Sequence, residues 1–179
     1  TSLIPGVGYV KKTYDLVDLG DSKTVSFTTN ESGLAWGAIY AQYDEEIIKV
    51  TPIGNIFTVS KRLFVERDLG TGRPELIPLN QGGGLNVGEK VVCRITIRSD
   101  RDVEFVYLKD QRAACFEPFV TNSGYKAQGG TGYYVSVKDA TTEFFFDNLR
   151  KGVYMLEQSF YVTRSGDYTS GVSMLQSIY

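Results

Sequence analysis

Few side chains in this sequence are equipped for chemistry, and their types limit it sharply. The 179 residues contain no histidine. That removes Ser-His-Asp and Cys-His nucleophilic catalysis and the commonest zinc ligand. There are two cysteines, Cys93 and Cys115. The alternation Val91, Cys93, Ile95, Ile97 places the first on the apolar face of a strand, so a small buried thiol is the favoured reading. A disulfide between the two stays open, since sequence alone does not decide it. Asp100, Asp102, Asp110 and Asp139 invite a calcium reading, but no EF-hand spacing joins them. They read better as dispersed surface carboxylates, with Arg98, Arg101 and Lys109 as surface partners. Glycoside hydrolysis by two carboxylates needs a pair about 5–9.5 Å apart, and nothing in the sequence selects one. The run Gln81-Gly82-Gly83-Gly84 is not a phosphate loop, because no Lys-Ser/Thr follows it. Trp36 with Tyr40 and Tyr43 invites a sugar-stacking platform; the small neighbours Ala35, Gly37, Ala38 and Ala41 favour a packed hairpin core. The expectation is a chain with no catalytic, cofactor-binding or metal-binding residues.

The elements that would position these residues are strands. Twelve Tyr, ten Phe and 19 Gly suit strands and turns better than helices. Lys23 to Thr29 and Leu34 to Tyr43 predict a hairpin turning at Gly33. Thr51, Pro52 and Gly54 break the pattern and mark a domain boundary, giving residues 1–51 and 52–179. Beyond it, strands are predicted at Phe57 to Arg67, Pro74 to Leu79, Glu89 to Arg98 and Asp102 to Asp110, with Val103, Phe105 and Tyr107 on one side of the last. Residues 113–132 read as one long loop, a feature often functional. Strands return at Tyr133 to Lys138, Glu143 to Phe146, Gly152 to Arg164 and Tyr168 to Ile178. Ser165-Gly166-Asp167 reads as a tight hairpin turn between the last two. Val137 to Thr142 suits a single helical turn. Phe144, Phe145 and Phe146 cannot all face one core, so at least one must meet a second surface. The fold class is all-β: an antiparallel β-sandwich of roughly nine strands.

A content of 42% hydrophobic residues is enough for a proper core. The net charge of −2, with Lys and Arg dispersed, offers no basic stripe for nucleic acid. No apolar run approaches the roughly 18 residues of a membrane-spanning helix. Thr1 without a preceding Met, and Tyr179 inside an apolar alternation, read as cuts in a longer protein.

An ordered set of words runs through the second half: DRD (Asp100 to Asp102), LKDQRAA (Leu108 to Ala114), SGY (Ser123 to Tyr125), GYY (Gly132 to Tyr134), FFFDNLRKG (Phe144 to Gly152) and SGDYTSG (Ser165 to Gly171). This set resembles the C-terminal domain of bacterial α2-macroglobulin-like proteins, especially those of Bacteroides-type gut bacteria. GVGYVKKTYD (Gly6 to Asp15) and LAWGAIYAQY (Leu34 to Tyr43) resemble the second half of the CUB-like domain that precedes it. The resemblance implies a macroglobulin or fibronectin-III-like sandwich over residues 52–179, preceded by a partial CUB-like β-unit over residues 1–51. It also implies a non-catalytic structural and interaction module of a broad-spectrum protease inhibitor in the periplasm or at the cell surface. Its partners would be the thioester and CUB-like domains of the same polypeptide and, through the full-length protein, host or bacterial proteases. The family's thioester joins a Cys and a Gln in a Cys-x-Glu-Gln motif; Cys115-Phe116-Glu117-Pro118 ends in proline and cannot form it. Tyr125, Tyr133 and Tyr134 would shield the thioester domain, and Leu34, Trp36, Ile39 and Tyr40 would pack between domains. From a different class, a surface carbohydrate-binding or adhesive β-sandwich is the alternative.

Overall fold

In the computed structural model the chain divides into two compact units, residues 1–42 and 43–179. The residues described are 2–4, 9–15, 24, 26, 28, 36–42, 44, 46, 54, 56–70, 72–80 and 84–179. In the first unit β1 (Ser2–Ile4) and β2 (Tyr9–Lys11) form an antiparallel pair in the register Ser2↔Lys11. Trp36 to Gln42, expected as a strand, have no regular secondary structure. A strand exists only against a partner that takes up its backbone groups, and the described residues give this stretch none. The proposed partner strand around Val25 and Phe27, the turn at Gly33 and the boundary at Thr51 lie outside the described residues.

The second unit holds two antiparallel sheets of five strands. One is ordered β4 (Pro74–Pro78), β3 (Phe57–Asp68), β5 (Lys90–Ser99), β11 (Gly152–Val162), β7 (Phe116–Pro118). The other is ordered β12 (Ser173–Ser177), β6 (Val103–Gln111), β10 (Thr141–Leu149), β9 (Thr131–Val137), β8 (Gly124–Gln128). No helix occurs among the described residues. β-branched and aromatic residues at alternating positions create both inner faces. Val91, Cys93, Ile95 and Ile97 of β5 meet Leu156 and Phe160 of β11, and across the sandwich Val106 and Leu108 of β6 and Phe144 and Phe146 of β10. The expected all-β sandwich is the observed fold.

Four local readings are corrected. Residues 113–132 are not one loop: β7 and β8 lie within them. Both are short and end at turns, so period-two alternation has too little length to register. Val137 to Thr142 form no helical turn; Asp139 and Ala140 make the bend between β9 and β10, and Lys138 N–H donates to the Thr141 carbonyl at 2.9 Å. β11 and β12 are not a hairpin, because β11 pairs with β5 and β7 while β12 pairs with β6. The segment around Gly166 crosses from one sheet to the other. Its last glycine, Gly171, has φ +72°, and a Cβ there would sit 2.7 Å from the Gln111 carbonyl oxygen, so only glycine fits the crossing. Finally, Asp110 is not a surface carboxylate but one of the most buried residues, 1% exposed.

The Phe144–Phe146 run behaves as its alternation requires. Phe144 and Phe146 are sealed in the core, and Phe145 faces outward. Phe144→Ala should therefore destabilise the chain by about 3–5 kcal/mol. Phe145→Ala should cost well under half of that, and urea unfolding of both variants checks the contrast.

Candidate functional site

The outer face of the β12–β8 sheet carries a row of aromatic side chains, one from each of four neighbouring strands. The registers Tyr125↔Tyr134, Phe145↔Tyr134 and Phe145↔Tyr107 place β8, β9, β10 and β6 side by side. Ring centroids step across the sheet at 5.2 Å from Tyr125 to Tyr134, 6.4 Å from Tyr134 to Phe145 and 5.1 Å from Phe145 to Tyr107. Successive rings meet at 77°, 53° and 34°, the edge-to-face and tilted contacts that aromatic quadrupoles favour. Tyr125 is 81% exposed, and Tyr134 and Phe145 are each 37% exposed. So much aromatic surface on one sheet face is what an interaction surface presents.

Charged groups border the row. Lys138 and Glu143 pair at 2.7 Å. The lysine hydrogen bond holds the Glu143 carboxyl below its ordinary value, so the pair stabilises the fold above the ordinary carboxylate range and that contribution fades as acid protonates Glu143. Burial, and then the nearby Glu143 carboxylate, push the Tyr107 phenol up, which keeps it a neutral hydroxyl near pH 7.

The three tyrosines singled out from sequence separate. Tyr125 and Tyr134 touch each other on the outer face. Tyr133, 6% exposed, faces the opposite way and packs on Phe144 and Phe146 at 5.4 and 5.6 Å. Neighbouring strand residues point to opposite faces, so Tyr133 belongs to the core and not with Tyr125 and Tyr134. Phe145 and Tyr107 complete the outer row instead; the odd phenylalanine of the FFF run was the signal, but the register that aligns it with Tyr134 is not readable from one strand. Trp36 and Tyr40 are 89% and 92% exposed, Ile39 is exposed too, and Leu34 lies outside the described residues.

A second polar group lies inside the sandwich. Lys61 on β3 occupies an inward position between Val59 and Leu63, and Asp110 on β6 follows Val106 and Leu108 inward. Their side chains meet at 2.8 Å between the sheets. Ser173 of β12 donates its hydroxyl to the same Asp110 oxygen at 2.7 Å. Lys61 also donates to the Ser170 carbonyl at 2.8 Å and to the Gln111 carbonyl. Every proton of the ammonium is thus engaged, so the cluster is an internal clamp rather than a reactive centre. Next to it, the Cys93 thiol lies 4.0 Å from the other Asp110 oxygen. Burial, and then the Asp110 charge, push that thiol up to about 12. Burial also raises Cys115. Both cysteines are free and buried, as expected of Cys93. Among the described residues no group of three or more His, Cys, Asp or Glu side chains is placed to hold a metal ion.

Two stacked five-stranded antiparallel sheets make a β-sandwich, an arrangement consistent with a macroglobulin domain. Residues 57–179 match the family described as the Bacterial Alpha-2-macroglobulin MG10 domain, and the chain belongs to that family. No curated protein matches the chain. Macroglobulin domains of this family are non-catalytic structural domains.

Two outcomes follow from the clamp and the thiols. Asp110→Ala strands the Lys61 ammonium between the sheets and should destabilise the chain by about 3–5 kcal/mol, whereas the double replacement Lys61→Met/Asp110→Leu should recover much of that loss; chemical denaturation of the three proteins checks this. Neither Cys93 nor Cys115 should react with a disulfide reagent near pH 7 while the chain is folded, since the thiolate is the reacting species. Both should react once urea unfolds it.

Proposed function

We propose that this chain is a structural and interaction module of a bacterial α2-macroglobulin-like, broad-spectrum protease inhibitor, and that it packs against the thioester domain of the same polypeptide and shields it. The observation that carries this reading is the aromatic row Tyr125–Tyr134–Phe145–Tyr107. A thioester survives only where water is kept away, and large, stiff, amphipathic rings exclude water at little entropic cost. Residues 1–51 would be the C-terminal half of a CUB-like domain. Leu34 and the exposed Trp36, Ile39 and Tyr40 would then serve packing between domains. The periplasm or the cell surface is the compartment such an inhibitor would occupy, and proteases would be partners of the full-length protein rather than of this module.

The alternative, a carbohydrate-binding or adhesive sandwich, draws on the same row, because exposed rings stack on sugars. The angles weigh against it. Rings turned by 34–77° from one to the next do not offer the common plane that an extended sugar chain needs.

In the full-length protein, Tyr125→Ala/Tyr134→Ala should raise the rate at which the thioester loses its protection, read as free thiol appearing without protease, by at least about tenfold. An unchanged rate would remove the shielding role. Glycan binding by the wild-type chain that disappears in the same variant would select the alternative.

A further inference from the structure

At the edge of the sandwich where β8 and β7 end their sheets, the two layers part into a cleft of about 440 Å³. Its floor is apolar and sealed: Tyr133, Val135, Phe144 and Phe160. Phe119 and Val120, both exposed, stand at its rim. One end is closed by the β8–β9 hairpin. There the Gln128 amide oxygen accepts the Glu157 N–H at 3.0 Å and the Tyr133 hydroxyl at 3.3 Å. Gly129, at φ +63°, approaches β11 so closely that a Cβ would lie 2.2 Å from the Met155 carbonyl oxygen.

Three features of the cleft ask for an occupant. First, β8 is a terminal strand whose only partner among the described residues is β9, so among them one side of its backbone is open to a further strand. Second, Gln158 occupies an inward position of β11 between Leu156 and Phe160. It lines the cleft, and its buried side-chain nitrogen has no hydrogen-bond partner; a buried donor without an acceptor is costly. Third, Lys126 of β8 stands at the mouth, exposed, with no ion pair among the described residues. The nearby Glu157 is already held by Arg94 at 2.7 Å.

We propose that this edge binds an extended peptide segment as an added strand beside β8. An apolar side chain of the peptide fills the cleft over Phe144 and Phe160, an acidic side chain two residues away meets Lys126, and a peptide carbonyl accepts from Gln158. Backbone pairing supplies affinity, and the alternate side chains supply specificity. The spacing of two follows from the strand itself, since residues i and i+2 share a face. The lysine prevents indiscriminate edge pairing and admits a strand of complementary charge.

The test uses the full chain, isotope-labelled, with two end-blocked pentapeptides: Thr-Phe-Thr-Asp-Thr and, as control, Thr-Phe-Thr-Lys-Thr. The acidic peptide should produce saturable shifts in the backbone amides of residues 124–128 and in the Gln158 side-chain amide, with the control at least about tenfold weaker. Val137→Trp, which enlarges a partly buried residue of the cleft lining, should reduce binding about tenfold or more. Gln158→Leu, which removes the donor, should weaken binding of the acidic peptide, read at the backbone amides of residues 124–128. No shifts up to about 1 mM peptide, equal binding of the two peptides, or binding unaltered in Val137→Trp would each overturn the proposal. Because Lys126, Val137 and Gln158 line the cleft and stand apart from the outer aromatic row, failure here leaves the thioester-shielding reading intact, and the reverse also holds.

Discussion

A lysine and an aspartate paired between two sheets set the terms for the rest of this fold. Lys61 and Asp110 each sit in phase with the apolar residues of their own strands, so the alternation that builds the core also carries two charges into it. In an apolar interior either charge alone would be expensive, and the pair is tolerated because the partners meet and their remaining hydrogen bonds are filled by Ser173, Ser170 and Gln111. The pair therefore acts as a registry mark. Sliding β3 or β6 by one residue would turn one charge outward and leave the other buried without compensation, in addition to exposing the hydrophobic face. A purely aliphatic core would resist such a slip less sharply.

The same alternation separates structure from interaction on the opposite side of the sheet. Three of the four aromatic residues in the row have a core residue as chain neighbour: Tyr133 beside Tyr134, Phe144 beside Phe145, and Val106 beside Tyr107. The core face is filled by packing demands. The outer face is free of them, yet it carries large rings instead of the short polar residues that a wetted sheet usually has. That contrast, more than any single residue, is what the proposed shielding role draws on, and it agrees with membership in a family whose macroglobulin domains serve as structural modules.

Much of this architecture could be read directly from the chain. Long strands such as β3, β5, β6, β10 and β11 announce themselves through sustained alternation, and Cys93 was legible as a core thiol because it shares the phase of Val91 and Ile95. Short strands β7 and β8 were not, since three or five residues between turns carry too few repeats to reveal a period. Pairing was the other gap. Tyr133 and Tyr134 were both plausible surface residues until the inward phase of β9 was known. The burial of Asp110 depended on where β3 and β12 lie, which no local pattern encodes. The aromatic word FFF correctly required a second surface, but only the register with Tyr134 and Tyr107 shows that it continues across four strands.

The crossing from β11 to β12 has a consequence for how the chain comes together during synthesis. β6 emerges early with β10, its neighbour on one side, still to be made, and its other side is completed only by Ser173–Ser177. Until that last segment arrives, the Ser173 hydroxyl is missing from Asp110 and the Ser170 carbonyl from Lys61, so the interior clamp is half-built and β6 presents an open strand edge. Such contacts between distant parts of the sequence form slowly because a long loop must close first. A nascent chain paused before Gly171 would thus expose a sticky edge next to uncompensated charge.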